Sequence, residues 1–559
     1  MHDILFRNAL VFDGTGSPPV VQDVAVTAGR IAAIGPSLDV SAHEVIPADG
    51  LALMPGIIDS HTHFDAQITW DPAVRPSPSL GVTTAVIGNC GFTIAPCRPQ
   101  DRDLTMRNLT QVEGMSLEVL RQGIAWDFET FPEYLGQLKR TGSAVNIAAY
   151  VGHSSVRTYV MGADAARRAA SDDEIAQMQA IVREAMAAGA VGFASSTSPA
   201  HNGAGGLPMP SRLADEREMQ ALVVAMGEGG RGRGVYMLTK GAETPMPFLE
   251  SLAADSGRPV MVAALLHNGT NPQAVFDDLD AITAANTRGH PMIGQVSCCP
   301  LTMDFTMQSP YPAEGLTSWQ PALGMEGEAL KAKLASRAFR DGVRAELATP
   351  SKFRLFNGEW AKVQVVEAAT SEYARYEQRS IADIAGSENR DPLDVMLDLA
   401  LAENLLTVFT AQLLNSDEEA VGRMLNHPHS LVSLSDAGAH LTFFNDAGFG
   451  LHLMGHWARD RGAMSLSDAV RKLTSQPAEV FGLAGRGYVR EGYAADLLLF
   501  DPKTVGRGPK RRVFDLPGGA PRLTTDAVGV HGVWVNGTMV ADGRGMVEAQ
   551  RLAGELLTG

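Results

Sequence analysis

The sequence has few cysteines and no long apolar run. Four cysteines occur among its 559 residues, at Cys90, Cys97, Cys298 and Cys299, and the last two are adjacent. This distribution argues against a disulfide framework, so each thiol is expected to be either a core residue or a metal ligand. No stretch supplies the ~20 uninterrupted apolar residues that a membrane-spanning helix needs. We therefore expect no insertion into a membrane.

Basic residues are also in deficit. Lys and Arg number 46 against 63 Asp and Glu, which gives a formal net charge of -17. Nucleic-acid binding is not expected, because phosphates require a basic surface. Residues 1–7 do not resemble the start of a secretory signal. We therefore expect a cytoplasmic protein that acts on a small molecule, and the oligomeric state stays open, a homo-oligomer included.

Strand-like alternation of apolar and polar residues marks both ends of the chain. It runs through the first fifty residues and returns at 495–502 and 532–537. Gly and Pro separate these runs, which is typical of strands joined by turns. We expect the two ends to pair into one small β-sandwich domain, with its first part at 1–53 and its second at 484–559.

Between the ends, apolar runs of strand length alternate with helical patterns. This alternation is typical of parallel βα units and predicts an α/β fold, a (β/α)8 TIM barrel over residues 54–483. Residues from about 301 to 379 break the alternation, and we interpret them as an insertion over the barrel mouth. The eight expected strands lie at 57–58, 81–89, 145–151, 191–193, 235–239, 260–266, 292–296 and 431–435.

One βα unit can be interpreted in detail. Ser171 and Glu174 have the spacing of a capping box. Apolar residues then recur at helical intervals, at Ile175, Met178, Val182 and Met186. Gly189 is expected to end this helix before the strand at 191–193.

The strongest local signal for chemistry is the pair His61 and His63, which follows two apolar residues. On an extended strand, residues two apart point the same way, so both imidazoles can share one metal at the barrel mouth. An isolated pair of this kind is more often structural. Here the preceding strand and the potential ligands on later strands favour a metal site.

Four further strands end in potential ligands. Cys90 follows a β-branched strand, and Lys240, His267 and Asp436 each come after an apolar strand. Core strands rarely finish in so many such groups, so the set predicts a metal site, and zinc suits His and Cys ligands. Taken alone, Cys90 would more often be a small buried hydrophobe. The other three cysteines keep that structural interpretation.

These residues together resemble the amidohydrolase superfamily, specifically its D-aminoacylase (N-acyl-D-amino-acid deacylase) branch. The resemblance rests on the His61-x-His63 strand, the segment 88–91 around Cys90, His267 and the pair Ser435-Asp436, and it covers nearly the whole chain. It implies one or two Zn2+ ions. It also implies that Cys90 is the bridging or tightest ligand and that His267 and Asp436 are further ligands.

The chain departs from the family pattern in two places. Lys240 stands where the family has a histidine. A neutral or carboxylated lysine would bind the metal, whereas a cationic one would hold an anionic substrate group, and both interpretations stay open. The cations with which the family grips a substrate carboxylate are missing after His267 and Asp436. The pair Phe443-Phe444 favours a more apolar substrate.

The expected function is zinc-dependent hydrolysis of the C–N amide bond of an N-acyl amino acid or a related N-acyl compound. Metal-activated water would attack the carbonyl while Asp436 acts as general base and returns the proton to the leaving amine. His153, at the end of the third strand, either donates a hydrogen bond to the substrate or supports the site from behind. Two alternatives stay open: hydrolysis of a cyclic amide, lactone or ester, and a non-catalytic metal-binding scaffold protein.

Overall fold

The computed structural model describes residues 1–229, 234–313, 315–349, 351, 354, 356–547 and 552–558. The chain divides into two units. The first comprises Met1–Leu265, Asp278–Cys298 and Gly422–Gly559, and the second comprises Leu266–Asp277 and Cys299–Val421. No helix within the described ranges is long and apolar enough to cross a lipid bilayer.

Strands and helices follow each other along the chain, with short 3-10 turns between them. The strands are β1 (His2–Val11), β2 (Val20–Thr27), β3 (Arg30–Gly35), β4 (Ala42–Pro47), β5 (Ala52–Pro55), β6 (Ile57–Asp59), β7 (Val82–Ile87), β8 (Asn146–Gly152), β9 (Gly192–Ser196), β10 (Val235–Thr239), β11 (Val260–Leu265), β12 (Met292–Val296), β13 (Leu301–Phe305), β14 (Val363–Glu367), β15 (Val408–Leu414), β16 (Ser430–Val432), β17 (Leu497–Phe500), β18 (Gly506–Leu516), β19 (Ala520–Val528), β20 (Val530–Val535), β21 (Thr538–Asp542) and β22 (Gly545–Met546). The helices are α1 (Arg102–Glu113), α2 (Leu117–Gly123), α3 (Phe131–Thr141), α4 (His153–Met161), α5 (Asp172–Ala188), α6 (Glu216–Gly229), α7 (Met246–Ser256), α8 (Ala274–Thr287), α9 (Gly327–Ala335), α10 (Arg337–Leu347), α11 (Ile381–Glu388), α12 (Pro392–Ala402), α13 (Glu418–Leu425), α14 (Phe449–His452), α15 (Leu466–Leu473) and α16 (Ser475–Phe481).

Eight parallel strands form the central sheet of the first unit, in the order β6, β7, β8, β9, β10, β11, β12, β16. They coincide with the eight strands expected from the apolar runs, so that prediction is confirmed. Every residue of β7 and β8 is buried, as parallel strands covered on both faces require. Because the strands are parallel, their carboxyl ends all meet at one edge of the sheet.

The two outer strands of this sheet approach each other beyond their carboxyl ends. Thr62 and Ala437 form an isolated parallel bridge, and the His63 N–H donates to the Ala437 carbonyl over 2.7 Å. Ser435 Oγ donates to the His61 carbonyl over 3.1 Å. The sheet therefore curls until the segments that follow β6 and β16 lie side by side.

The βα unit predicted around Ser171 is confirmed. The Ser171 hydroxyl accepts from the Glu174 N–H, and the Glu174 carboxylate accepts from the Ser171 N–H, so both halves of the capping box form at the start of α5. The helix ends at Ala188, and Gly189 takes a left-handed conformation with φ 116°. Such a conformation favours glycine because it carries no Cβ.

The two chain ends pair in one sheet, as expected. Its strand order is β22, β21, β20, β17, β5, β1, β2, β3, with β4 added beside β1, and β17 from the C-terminal part pairs antiparallel with β5. Phe6 and Trp534 pack edge to face in its core, with ring centroids 4.9 Å apart. This sheet belongs to the same unit as the eight-stranded sheet, so a separate β-sandwich domain is not resolved.

The second unit contains the predicted insertion but extends beyond it. Its sheet has the order β13, β15, β14, with both outer strands antiparallel to β15. Residues 301–379 include β13 and β14 but not β15, the strand that joins them. The unit therefore runs on to Val421. Trp319 and Phe339 meet in its core, with centroids 5.2 Å apart.

Candidate metal centre

His61 and His63 lie on the extended segment that follows β6. Because alternate residues of an extended chain point the same way, both rings line one cavity, and their centroids are 5.3 Å apart. Both side chains are buried. The predicted histidine pair is therefore formed at the carboxyl end of the first strand of the sheet.

Cys90 comes from a tight turn after β7. Its own φ is 56°, and the neighbouring Gly88 and Gly91 also have positive φ. A Cβ at Gly91 would lie 2.6 Å from the Ala194 carbonyl oxygen, so this position accepts only glycine. The turn brings the Cys90 Sγ atom toward the histidine pair instead of leaving it in the strand.

Three of the predicted ligands form a compact cluster. The Cys90 Sγ atom lies 3.6 Å from His61 Nε2. His61, His63 and Cys90 each offer one ligand atom, and these atoms lie within 4.8 Å of one another. Thr239, the last residue of β10, donates a hydrogen bond from its hydroxyl to Cys90 Sγ over 3.1 Å.

Asp436 joins this cluster from the segment after β16. Its Oδ1 atom lies 3.1 Å from His61 Nε2 and 3.6 Å from His63 Nε2. The residue has φ 47°, a conformation that costs free energy for a residue with a Cβ and is often held at functional sites. Its side chain is 21% exposed, so the carboxylate can reach water and a substrate.

The charges of these groups depend on one another. Burial disfavours the thiolate of Cys90 and the carboxylate of Asp436, but the adjacent His61 and His63 rings outweigh it and hold both pKa values below their ordinary values. Burial likewise disfavours a charged His61, yet Asp436 and Cys90 raise its pKa to about 10. His63 is affected in the same way, since burial disfavours its charged form but Glu113, Asp436 and Cys90 raise its pKa well above the ordinary value. The cluster therefore favours the anionic forms of Cys90 and Asp436 and the protonated forms of the two imidazoles.

This donor set fits a divalent metal ion. Thiolate, imidazole and carboxylate are the zinc ligands of proteins, and a dication replaces the ring protons when it binds. The cluster is buried, and Asp436 keeps one side open to water. His61, His63, Cys90 and Asp436 are the residues that the structure brings together for this purpose.

Two buried carboxyl groups stand behind the histidine pair. Burial raises the pKa of Asp59 and that of Asp65 to about 7 each. Asp59 Oδ1 accepts from the His61 N–H over 3.3 Å, and Asp65 Oδ2 accepts from the Gly88 N–H over 2.9 Å. Both therefore help to fix the backbone that carries the ligands.

A cavity of about 80 Å³ adjoins the cluster. It is lined by His61, His63, Cys90, Phe92, Glu113, His201, Thr239, Ala264, Leu434, Asp436 and His440. This volume is far below the ~300 Å³ at which small-molecule pockets begin. The cavity therefore has room for only a small chemical group beside the cluster.

His201 lies in the loop after β9 and lines this cavity. Its Nδ1 atom is 2.7 Å from the Ser196 hydroxyl, and its ring packs edge to face against Phe92 with centroids 4.9 Å apart. Burial and the neighbouring His440 lower the pKa of His201 to about 3. The ring is therefore neutral at physiological pH and is held in one orientation by Ser196.

Lys240 and His267 are placed differently from the four clustered residues. Lys240 Nζ forms an ion pair with Asp278, with oxygens at 3.0 and 3.2 Å, and it is not among the residues that line the cavity. A ligand role would require it to leave this ion pair. His267 lies two residues beyond β11 in the second unit, where it is buried and its N–H donates to Asn415 Oδ1 over 2.7 Å.

His153 begins α4 and is fully buried. Its Nε2–H donates to Glu218 Oε1 over 2.8 Å, and its Nδ1 accepts from the Ser195 hydroxyl over 2.8 Å. Glu218 also binds the buried Arg157. Since His153 is not among the cavity-lining residues, the structure favours support from behind over direct contact with a substrate.

Four residues of the centre were not expected from the sequence: Glu113, His201, Gln295 and His440. Gln295 could have been recognised from the sequence, because it is a polar residue within an apolar strand, β12. In the structure its Oε1 atom accepts a hydrogen bond from His61 Nδ1 over 2.7 Å. The sequence indicates His201 and His440 less clearly, because each lies several residues after a predicted strand and not directly at its end. No sequence pattern indicates Glu113, because it is the last residue of a helix and does not follow a strand.

The sequence of this chain is similar to those of known hydrolases over nearly its whole length. The sequence model described as Amidohydrolase family matches residues 44–541. The chain is 28% identical over 542 residues to D-aminoacylase of Alcaligenes xylosoxydans xylosoxydans, covering 96% of this chain and 94% of that one. It is 30% identical over 553 residues to N-acyl-D-aspartate deacylase of the same organism, covering 97% and 92%.

The fold of this chain is also similar to that of solved structures. A structure of D-aminoacylase, an enzyme with a binuclear metal centre in which one metal activates and the second attenuates, matches with a TM-score of 0.67 and 26% identity. The match covers 100% of both chains. The similarity therefore extends over the whole fold.

Proposed function

This chain belongs to the amidohydrolase family, and from that premise we propose that it is a zinc-dependent enzyme that hydrolyses the amide bond of N-acyl-D-amino acids. The observation that carries the proposal is the cluster of His61, His63, Cys90 and Asp436 beside a cavity. The relatives that act on N-acyl-D-aspartate and on other N-acyl-D-amino acids support the substrate class.

His61, His63, Cys90 and Asp436 would hold the metal, and His267 is proposed to complete the ligand set. One or two Zn2+ ions are compatible with this number of donors. When bound, zinc supplies Lewis acidity toward a water and toward the scissile carbonyl. Lys240 is proposed as a ligand only in its neutral or carboxylated form, which its ion pair with Asp278 opposes.

Asp436 is proposed to move the proton. Its pKa lies well below the ordinary value because His61 and His63 outweigh burial, so its carboxylate is ionised at neutral pH. It therefore accepts a proton from the attacking water and delivers it to the leaving nitrogen, which must be protonated before the C–N bond can break. Its partial exposure lets it face both groups.

His201 is proposed to bind the substrate oxygen. A neutral imidazole carries one ring proton, and we assign it to Nε2 of His201, with Nδ1 accepting from the Ser196 hydroxyl 2.7 Å away. An N–H that is already oriented can donate to the carbonyl oxygen as negative charge develops there. His153 is proposed to act from behind, by fixing the Ser195 and Glu218 side chains that surround it.

We also propose the finer division of the fold. The eight-stranded sheet is interpreted as a (β/α)8 barrel over residues 54–483, and the terminal parts, 1–53 and 484–559, as a β-sandwich. The pairing of β17 with β5 and the bridge between Thr62 and Ala437 support these limits. The cytoplasmic location and a homo-oligomer stay predictions from the sequence.

Replacement of Asp436 tests the proposal. Asp436→Asn keeps the shape of the side chain but cannot take up a proton, so we expect turnover of N-acetyl-D-amino acids to fall about 10²- to 10⁴-fold. Zinc should still bind through His61, His63 and Cys90, and metal analysis of the purified variant checks this. Asp542→Asn, at the end of β21 and paired with the exposed Arg544, is the control and should retain full activity.

Two results would contradict the assignment. Wild-type turnover by Asp436→Asn would exclude Asp436 as the general base. The second result is that zinc-loaded wild-type protein hydrolyses lactams, lactones or esters but cleaves no linear N-acyl amino acid. The substrate would then be a cyclic amide, a lactone or an ester, and the proposed substrate class would be wrong.

A further inference from the structure

We infer that Glu113 is a positioning residue of the metal centre: its carboxylate accepts the Nδ1–H of His63 and thereby turns His63 Nε2 toward the metal. The inference rests on the proposed metal centre. It assigns a role to a helix, α1, that contributes no ligand and whose last residue is Glu113.

The first argument is the contact itself. His63 Nδ1 and Glu113 Oε1 are 3.1 Å apart, and only 5% and 3% of the two side chains is exposed. Within the described part of the chain, neither atom has a hydrogen-bond partner of good geometry. Burial of both groups without a partner is costly, so each is the natural partner of the other once His63 is fixed by a ligand bond.

The second argument is the parallel with His61. The Nδ1 atom of His61 donates to Gln295 Oε1 over 2.7 Å, and its Nε2 faces Cys90 and Asp436. His63 repeats this arrangement, with Glu113 at Nδ1 and Asp436 3.6 Å from Nε2. Both rings therefore have an acceptor behind them and the ligand nitrogen in front, which is how metal-bound histidines are usually held.

The two acceptors differ in charge. Gln295 is a neutral amide, whereas Glu113 is a carboxyl group, and a carboxylate behind a histidine makes the ring a stronger donor to a metal. His63 is therefore expected to be the stronger of the two imidazole ligands.

The third argument is the anchoring of α1. The Glu113 carbonyl accepts from the His440 N–H over 2.5 Å, and Gly114 ends the helix with φ 63°, where a Cβ would lie 2.9 Å from the Phe443 ring. The backbone of Glu113 thus holds the segment that follows Asp436, while its side chain faces His63. One residue aligns both sides of the cluster.

Zinc affinity tests the inference without reference to any substrate. We compare Glu113→Gln, which keeps the shape and an acceptor oxygen, with Glu113→Ala, which keeps neither. Zinc affinity, measured by competition with a chelator, should fall about tenfold in Glu113→Gln and about 100-fold in Glu113→Ala. Partial rescue by glutamine is the expected sign of a positioning role.

Glu403→Gln is the matched control. Glu403 is also buried, at 3% exposure, but it accepts from Thr370 and Thr407 in the second unit. Its replacement removes a buried carboxylate at a similar cost to folding and should leave zinc affinity unchanged. If zinc affinity fell equally in all three variants, general destabilisation would explain the loss and the inference would be overturned.

The absorption spectrum of the Co2+-loaded protein supplies a second readout. A positioning residue changes the band energies slightly and leaves the coordination number unchanged, so Glu113→Gln should keep the overall shape of the spectrum. A change of coordination number in Glu113→Gln would make Glu113 a ligand and would overturn the positioning role. So would wild-type zinc affinity in both Glu113 variants.

Failure of the proposed function gives a different pattern. If the wild-type protein itself does not bind zinc, the metal centre is wrong and the inference falls with it. If the wild-type protein binds zinc and both Glu113 variants bind it equally well, only the role of Glu113 is refuted.

Discussion

At the level of single residues, the cavity is lined both by the proposed metal ligands and by a histidine, His201, that lies outside that set. His201 is neutral, because burial and the neighbouring His440 lower its pKa to about 3, and Ser196 holds its Nδ1 atom. It lines the same cavity as the cluster, where we propose that it binds the scissile carbonyl. Its role in catalysis can therefore be separated from that of the metal.

His201→Phe is the variant that makes this separation. Phenylalanine keeps the packing against Phe92 but removes the N–H donor. We expect kcat/KM for N-acetyl-D-amino acids to fall between about tenfold and 100-fold, since a lost hydrogen bond of this kind is worth about 1–3 kcal/mol. Zinc content should not change.

Ser196→Ala provides the comparison for His201→Phe. It leaves the ring in place but removes the group that orients it, so its loss of kcat/KM should be smaller. If His201→Phe lost zinc, or if its kcat/KM were unchanged, the substrate-binding role of His201 would be wrong.

The sequence alone indicated the cluster but not its full membership. His61, His63, Cys90 and Asp436 could be found because each follows a strand of the same parallel sheet, and the carboxyl ends of such strands share one edge. The direction of a long side chain could not be found in this way. Lys240 also ends a strand, yet its Nζ atom turns to Asp278, a residue on α8 that no local pattern connects with it.

At the level of elements, the turn after β16 fixes Asp436 against the histidine strand. Gly438 has φ 95°, and a Cβ there would lie 2.6 Å from the carbonyl carbon and oxygen of His63. Only glycine allows this approach. The distance between Asp436 and the histidine pair therefore depends on a residue that has no side chain with which to bind a metal or a substrate.

Gly438→Ala should disturb both stability and the metal centre. We expect a loss of at least about 1–3 kcal/mol in the free energy of unfolding, from the strained backbone, together with weaker zinc binding. Urea unfolding and chelator competition measure the two effects. Gly386→Ala, in the interior of α11 where a Cβ meets open space, is the control and should gain up to about 1 kcal/mol.

His153 joins three elements, because it begins α4 and contacts Ser195 on β9 and Glu218 on α6. Its burial predicts that the stability of the protein depends on pH. Burial and the Arg157 charge lower the pKa of His153, although Glu218 opposes them. The folded protein therefore keeps His153 neutral, whereas the unfolded chain binds a proton near the ordinary pKa of 6.5. The contribution of His153 to stability is complete above pH 6.5 and is lost as the pH falls below it.

His153→Gln isolates this contribution. Glutamine retains hydrogen-bonding groups but does not titrate, so the free energy of unfolding should fall less between pH 7.5 and pH 5 in the variant than in the wild type. Urea titrations at several pH values measure the difference. Parallel curves for the two proteins would show that His153 is not held neutral by the fold.

The ends of a helix, strand or unit could be predicted only where they depend on residues that are close together in the sequence. The strands of the eight-stranded sheet and the capped helix α5 depend on apolar runs and on Ser171, Glu174 and Gly189, all close in sequence. The end of the second unit could not be predicted, because it depends on the pairing of β15 with β13 and β14. Pairing over such distances leaves no local pattern.

At the level of the whole molecule, charge and composition limit the possible functions, and the proposed metal centre narrows them further. A net charge of -17 opposes binding to nucleic acid. The curled parallel sheet brings His61 and Asp436, which follow its two outer strands, to within 3.1 Å of each other. The family supplies the reaction class, and the cluster supplies the groups that we propose carry it out.

The most direct measurement is hydrolysis of N-acetyl-D-amino acids and their L-enantiomers by wild-type protein, first freed of metal with a chelator and then reconstituted with Zn2+. We predict no turnover by the metal-free protein, recovery of turnover with zinc, and a preference for the D-enantiomers. Absence of hydrolysis by protein that has demonstrably bound zinc, over a panel of acidic and apolar substrates, would contradict the account.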